Sequence, residues 1–307
     1  MGIVRPEGRL DQRVSLRVLC ACAVNFCFLP ITGKMRPFVP GDVELSVVVP
    51  TLNEAANLPF LVQRIGAALR GRGYEMLVID DGSGDQTPEV CERLRERYPV
   101  FLHVRRGARD GLSGAVVYGM SRARGEYLVV MDADLQHPPE LLPELISAML
   151  RGSDLVIGSR YTEGGGLGEW NPVRKLISAA AGWATWPIQR HGLRAKDPMS
   201  GFFFVRRDCL IGVDFQEEGF KLLLEVLVRA RITSVHEVPF AFGQRYRGAS
   251  KANVKVAVDY GKLLGRLYGF RFGWKRAISG EHSRLTKRLL RLECRQGDTQ
   301  HEKRRYS

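Results

Sequence analysis

The chain has 307 residues, 45% of them hydrophobic and 26% charged, with a formal net charge of +13. That balance excludes a disordered chain and leaves room for one large domain or two small ones. The six cysteines form no Cys-x-x-Cys pair, which argues against a zinc ribbon or a disulfide scaffold and for free thiols in a reducing compartment.

The positive charge fits nucleic acid, an anionic membrane surface or a phosphorylated substrate. Part of it is tail: Arg284 to Arg295 and Lys303-Arg304-Arg305 lie beyond every motif. The apolar run Val18 to Ile31 follows Arg13 and Arg17, as in a secretory signal, but Asn25 and Pro30 interrupt it. Met35 stands just before the first strand. The expectation is that residues ahead of it are disordered or outside the native product.

Leu45 to Pro50 is a β-branched run of the buried-strand type. Asn57 to Leu69 carries Leu58, Leu61, Val62, Ile65 and Leu69 on one helical stripe. Then follow a strand over Glu75 to Asp80, a helix over Pro88 to Tyr98, a strand over Val100 to Val104 and a small-residue helix over Gly111 to Ala123. Tyr127 to Met131 and Leu155 to Gly158 are strands flanking a helix over Pro139 to Leu150. Strand and helix alternating in this way predict an α/β fold with a doubly wound, mostly parallel sheet, whose ligands bind at the strand carboxyl ends. Pro50, Asp80-Asp81 and Asp132 all fall at such ends, so three distant segments are expected to meet in one crevice.

After Gly164-Gly165-Gly166 the pattern changes. Val173 to Gln189 is helical, and its Trp183 and Trp186 suit either a membrane interface or, more commonly, a core. Ser200 to Arg206 and Val235 to Phe240 are further strands, Glu225 sits in an apolar helix, and Val254 to Tyr268 is a last amphipathic helix.

Two carboxylates at Asp132 and Asp134 repel each other unless a cation intervenes, and Gln136 adds a neutral oxygen. Oxygen donors of this kind suit Mg²⁺ or Mn²⁺. A bare Asp-x-Asp is equally an acidic turn ahead of the helix at Pro138-Pro139. Asp80-Asp81-Gly82-Ser83 is either a ribose- or base-binding acid or an ordinary Asp-Gly turn. Thr51-Leu52-Asn53-Glu54 is open to a plain reading in which Asn53 caps a helix. It lacks the Gly-x-Gly-x-x-Gly turn of a dinucleotide-binding dehydrogenase. No nucleic-acid reading module accompanies the positive charge.

Val48-Val49-Pro50 with Asn53-Glu54, Ile79 to Ser83, and Met131 to Pro139 together resemble the family 2 inverting glycosyltransferases. Gly158-Ser159-Arg160-Tyr161, Arg174, Ser200-Gly201-Phe202, Glu225 and Arg245 to Lys251 are similar to the dolichol-phosphate (polyprenol-phosphate) mannosyltransferase subgroup. The resemblance spans about residues 45 to 270. It implies a GT-A fold and a nucleoside-diphosphate sugar donor, GDP-mannose foremost, with a polyprenol or dolichol phosphate acceptor. Glucose or another sugar, or a non-catalytic sugar-nucleotide-binding subunit, is the alternative. By matching positions, Pro50, Leu52, Glu54, Ile79 and Asp81 line the nucleoside, and Asp132 and Ala133 contact the nucleotide. Asp132, Asp134 and Gln136 hold Mg²⁺ or Mn²⁺, Arg245 and Lys251 hold phosphates, and Arg160 and Arg174 meet the acceptor phosphate. Asp132, Asp134, Arg245 and Lys251 form the implied catalytic set. The implied organisation is an N-terminal extension over 1–42, the GT-A domain over 43–252, an amphipathic helix over 253–275 that approaches a membrane, and a basic tail over 276–307. A peripheral place on the cytoplasmic membrane face follows from donor supply, with a membrane partner subunit as another means of recruitment.

Overall fold

In the computed structural model the described residues are 43–105, 111–168, 172–215, 221–243 and 254–273, without the side chains of 172–175 and 254–257. The N-terminal extension, the tail beyond 273, Arg245, Lys251 and the side chain of Arg174 lie outside them.

The described residues form one seven-stranded sheet: β1 Leu45–Thr51, β2 Tyr74–Asp80, β3 Val100–Val104, β4 Tyr127–Val130, β5 Leu155–Ser159, β6 Phe203–Arg206 and β7 Val235–Pro239. Its order is β3-β2-β1-β4-β6-β5-β7. β1 pairs in parallel with both β2 and β4, in the registers Pro50↔Ile79 and Val48↔Val130. Only β6 runs antiparallel, against β4 and β5. The expected mostly parallel α/β sheet is therefore present.

β1 is buried at every position, because it is central and covered on both faces. Alternate side chains serve two cores. Val47 and Val49 point to one, which also holds Val78, Val129 and Phe204. It is roofed by helices α1 Leu58–Ala68 and α2 Thr87–Arg95, and by α4 Leu142–Leu150 beyond a short 3-10 turn at Pro139–Leu141. Val48 points to the other, with Ile79, Val130 and Phe203, under α3 Gly111–Met120 and a later helix over Leu222–Arg229. Leu58, Leu61, Val62 and Ile65 bury the stripe that their spacing predicts. α3 lies close on the sheet because Gly119 has no side chain: a Cβ there would stand 2.5 Å from Val48 Cγ1.

Beyond β5 comes α5 Pro172–Trp183. The helix over Leu222–Arg229 is α6, and the last is α7 Val254–Arg271. α5 stops at Trp183, short of the predicted Gln189, and the chain continues in turns to Ile188. Leu263 and Leu267 of α7 pack with Leu224 and Val228 of α6, and the hydroxyls of Tyr260 and Tyr268 donate to the carbonyls of Ala181 and Ala184. Trp183 and Trp186 are 80% and 55% exposed, which overturns the commoner expectation of core tryptophans. Among the described residues no helix is long and apolar enough to cross a membrane.

Candidate active site

Parallel register brings the carboxyl ends of β1, β2 and β4 side by side. The Asp81 N–H donates to the Thr51 carbonyl at 3.1 Å, and the Met131 N–H to that of Val48 at 3.2 Å. Asp80 turns its buried carboxylate back on its own loop. It accepts the N–H groups of Gly82 and Ser83 at 3.2 and 2.9 Å, the Ser83 hydroxyl, and the Thr51 hydroxyl at 3.3 Å. This fixes the tight turn at Gly82 (φ 84°) and makes Asp80 structural.

Asn53 is not a helix cap. It has a left-handed backbone (φ 61°), and its side chain reaches the next loop, accepting the Gly84 N–H at 2.8 Å. Its own N–H donates to Ser83 Oγ at 2.8 Å, and the Glu54 N–H donates to Thr87 Oγ1 at 3.0 Å. Residue 57, not 53, precedes α1. The loops after β1 and β2 thus form one surface. Leu52 is exposed on it, Pro50 is buried, and the side chain of Ile79 lies wholly in the core, so that Ile79 meets this surface through its backbone. Glu54 accepts from Asn57 Nδ2 at 2.6 Å. Asp81 is held by the buried Arg105, whose Nε stands 2.8 Å from Oδ1.

The loop after β4 is built differently. Leu135 takes a left-handed backbone (φ 64°), which folds the chain back on itself. The Gln136 N–H donates to Asp134 Oδ1 at 3.1 Å. The Gln136 side-chain amide donates through Nε2 to the Gly243 carbonyl at 3.0 Å, while the Gly243 N–H donates to the Gln136 carbonyl. The Asp132 side chain is 34% exposed, whereas Asp134 and Ala133 are buried. The Asp132 N–H donates to His137 Nδ1 at 3.0 Å. Burial pushes the His137 pKa down to about 4, with Asp134 opposing and Arg160 reinforcing, so the ring is neutral at pH 7.

Two carboxylates and an amide on one reversed loop are hard oxygen donors. Among the described residues no cluster of three or more His, Cys, Asp or Glu could hold a metal. By their chemistry Asp132, Asp134 and Gln136 are of the donor type that suits Mg²⁺ or Mn²⁺. His137, at the end of the same loop, offers its Nδ1 to the Asp132 backbone.

Arg160 follows β5. Its Nε and Nη2 grip Asp197 at 2.7 and 2.8 Å, and its N–H meets the same carboxylate at 3.1 Å. Asp197 is in turn fixed by Glu237, which accepts the N–H groups of Lys196 and Asp197 at 2.9 and 3.0 Å. The guanidinium lies 5.5 Å from the Phe242 ring centroid. Burial lowers the Arg160 pKa, but Asp197, with help from Asp132, raises it further, so the net shift is upward. Arg160 is thus permanently charged beside Asp132. Lys221, at the start of α6, donates to the Met199 carbonyl at 3.3 Å and adds a second cation near His137. A cavity of ≈ 20 Å³, enough for one water-sized group, lies between α3 and α6 against Asp132 and Gly201.

The structure brings Asp81, Asp132, Asp134, Gln136 and Arg160 to one end of the sheet, with Pro50, Leu52, Glu54, Ile79 and Ala133 around them. Arg105, Asp197 and Lys221 were missed in the sequence, since none stands in a motif. Arg105 carried one usable signal, its place directly after a predicted strand. Glu225 faces Arg229 at 3.1 Å, one turn on. Cys91 and Cys209 are buried free thiols whose pKa values desolvation pushes up to about 12 and about 11, which disfavours the thiolate.

A family model described as glycosyl transferase family 2 matches residues 46–212. A dolichol-phosphate mannosyltransferase of Pyrococcus furiosus is 46% identical over 228 residues, covering 73% of this chain and 64% of its own length. One of Mycosarcoma maydis is 39% identical over 240 residues, covering 74% and 80%. The chain thus spans slightly less than two thirds of the Pyrococcus relative. Glucosyl-3-phosphoglycerate synthase from Mycobacterium tuberculosis, solved with Mn²⁺, uridine-diphosphate and glucosyl-3-phosphoglycerate, is similar in fold. Its TM-score is 0.54 at 20% identity, over 75% of this chain and 80% of that one. With its sheet, its three converging strand ends and the family model across more than half its length, the chain belongs to glycosyl transferase family 2.

Proposed function

We propose that the protein transfers a sugar, mannose from GDP-mannose, to dolichol or another polyprenol phosphate, with inversion and with a divalent cation. The observation that carries the acceptor and sugar class is the 46% identity over 228 residues to a dolichol-phosphate mannosyltransferase. The converging strand ends and the oxygen-donor loop support the same reading.

In this reading Pro50, Leu52, Glu54, Ile79 and Asp81 line the nucleoside, with Arg105 holding the Asp81 carboxylate in place. Asp132 and Ala133 contact the nucleotide, and Asp132, Asp134 and Gln136 hold Mg²⁺ or Mn²⁺. When bound, that ion supplies positive charge against the departing diphosphate. Arg245 and Lys251 hold the donor phosphates. Arg160 and Arg174 gather the acceptor phosphate, and the fixed, charged Arg160 beside Asp132 is suited to bring it up to the donor.

The acceptor is its own nucleophile. The second pKa of a phosphate monoester is about 6, so it is largely dianionic at pH 7 and needs no protein base. A phosphate oxygen forms a bond to the anomeric carbon as the bond to the diphosphate oxygen breaks, and the configuration inverts.

Recruitment to a membrane is supported by α5 and the turn after it, where Leu176 (72% exposed), Ile177, Trp183 and Trp186 are displayed. Residues 43–252 are the catalytic domain in this reading, 253–275 an amphipathic helix against the membrane, 1–42 an extension and 276–307 a basic tail. The place is peripheral, on the cytoplasmic face where nucleotide sugars are made, with or without a membrane partner subunit.

The test is a donor panel with dolichyl phosphate and Mg²⁺ or Mn²⁺, followed by NMR of the product's anomeric proton. GDP-mannose giving a β-linked product is expected. Retained α configuration, or no transfer from any nucleotide sugar under any metal condition, would sink the reading.

A further inference from the structure

We infer that His137 is a positioning residue: by accepting the Asp132 main-chain N–H on Nδ1 from inside an aromatic box, it sets the loop that holds the divalent cation. The inference rests on the reading that Asp132 and Asp134 are ligands of that cation.

Four observations converge on it. Asp132 lies two residues past the end of β4 at Val130, where the strand no longer organises the chain. The acceptor for its N–H comes from five residues on, at 3.0 Å. The reversal that returns His137 to Asp132 passes through the left-handed Leu135, a conformation that costs an ordinary residue about 1 kcal/mol and persists only where surrounding contacts enforce it. His137 is itself held from two other segments. Its ring stacks on Phe202 at 5.2 Å with an interplanar angle of 16°, and meets Phe240 and Phe242 edge-on at 5.8 and 5.9 Å. Gly201 also lies close against it: a Cβ there would stand 3.1 Å from His137 Cε1 and 3.3 Å from Asp132 Oδ2.

The consequence is a chain of fixed contacts from the core to the Asp132 backbone. Phenylalanines from the segments beside β6 and β7 fix the imidazole, and the imidazole fixes the main chain of Asp132. Outer groups that orient metal ligands typically change metal affinity by about 10–100-fold when removed.

Three variants of the full-length protein separate positioning from packing. His137→Phe fills the aromatic slot but offers no acceptor. His137→Asn loses the ring but carries an acceptor oxygen, Oδ1, at the same bond distance from the backbone as Nδ1. His137→Gln carries it one bond further out. Mn²⁺ binding is read directly, from the free-ion electron paramagnetic resonance signal in the presence of GDP, alongside thermal unfolding. We expect Mn²⁺ affinity to fall about 10-fold or more in His137→Phe and His137→Gln and about 3-fold or less in His137→Asn. A packing role predicts the reverse order, with phenylalanine the mildest change. Wild-type affinity in His137→Phe, or equal affinities for Asn and Gln, overturns the inference. The Asn–Gln pair decides the matter if the phenylalanine variant does not fold. Asp134→Ala, measured in the same way, tests the underlying reading: if it binds Mn²⁺ as wild type does, the metal assignment fails, whereas loss in that variant with none in the His137 series rejects the positioning role alone.

Discussion

The loops after β2 and β4 both begin with aspartates at a strand's carboxyl end, yet they are fastened by opposite means. After β2 the fastener is a carboxylate: Asp80 spends itself on two backbone N–H groups and two hydroxyls and is buried. After β4 the fastener is a neutral ring: His137 takes the Asp132 backbone, and the Asp132 side chain stays one-third exposed. A carboxylate that closes its own turn has its lone pairs occupied and is a poor candidate for a cation. The turn after β4 uses an uncharged acceptor for the Asp132 N–H, while Asp134 accepts the Gln136 N–H at 3.1 Å. In the reading proposed above, the β4 loop can serve a cation because a neutral ring, and not the Asp132 carboxylate, holds the Asp132 backbone.

The largest expected effect breaks that contrast from the active side. Asp134→Ala should lower kcat by about 10³-fold, ~4 kcal/mol of transition-state stabilisation, with thermal unfolding nearly unchanged. Near-normal turnover would remove the β4 loop from the chemistry. Asp80→Ala should do the opposite. It strands donors in a buried turn, costing about 2–4 kcal/mol in urea unfolding, with kcat per folded molecule falling far less than in Asp134→Ala. Unchanged stability would mean that the β2 loop is not held by its acid.

The neutral fastener should be visible as pH dependence in the metal-free protein. The folded pKa of His137 is about 4 against an ordinary 6.5, so the unfolded chain takes up the proton first. Its contribution is therefore complete above about pH 6.5 and is lost as pH falls towards 4, in total about 3 kcal/mol. Urea unfolding at pH 7 and pH 4.5, compared with His137→Phe, isolates it; identical pH slopes in the two proteins would refute the assignment. Gly201→Ala is expected to cost roughly 1 kcal/mol, because a Cβ there would stand 3.1 Å from the boxed imidazole and 3.3 Å from Asp132 Oδ2. A Tm equal to wild type would show that the box is softer than its geometry. The smallest effect is the control. Arg64 and Glu140 form a bidentate pair on the surface, and Arg64→Ala should change stability by no more than about 0.5 kcal/mol and leave turnover alone.

Much of this architecture was legible in local pattern. The Val47-Val48-Val49 run specified a strand buried on both faces, and the stripe Leu58, Leu61, Val62, Ile65 specified a helix against it, because burial alone dictates apolar residues at those periods. The acidic loops were legible as strand ends for the same reason. Their opposite fates were not, since residue type alone does not say whether the carboxylate or another group of the same turn takes the loop's N–H groups. Asn53 shows the limit well. Its residue type suits a helix cap, but a partner 31 residues away at Gly84 outcompetes the local helix for its side chain. The antiparallel direction of β6 was likewise hidden, because an alternating strand carries no mark of its neighbour's direction. Trp183 and Trp186 were assigned by the usual habit of tryptophan, and only the surface left by α5 and α7 decides that they stand outside.

By itself, then, the sequence determined the alternation of strands and helices, the sheet class, and the identity of the acids and amide that cluster at its edge. These follow from periodicity and residue chemistry, which are local. Tertiary structure decided which acid is consumed as a fastener, that Arg160 is clamped by Asp197 and Glu237, that Arg105 steadies Asp81, and that a histidine sealed among three phenylalanines sets the Asp132 backbone. The Arg160–Asp197 and Arg105–Asp81 pairs and the phenylalanine box around His137 join groups far apart in the chain, and such contacts are settled only when the fold closes.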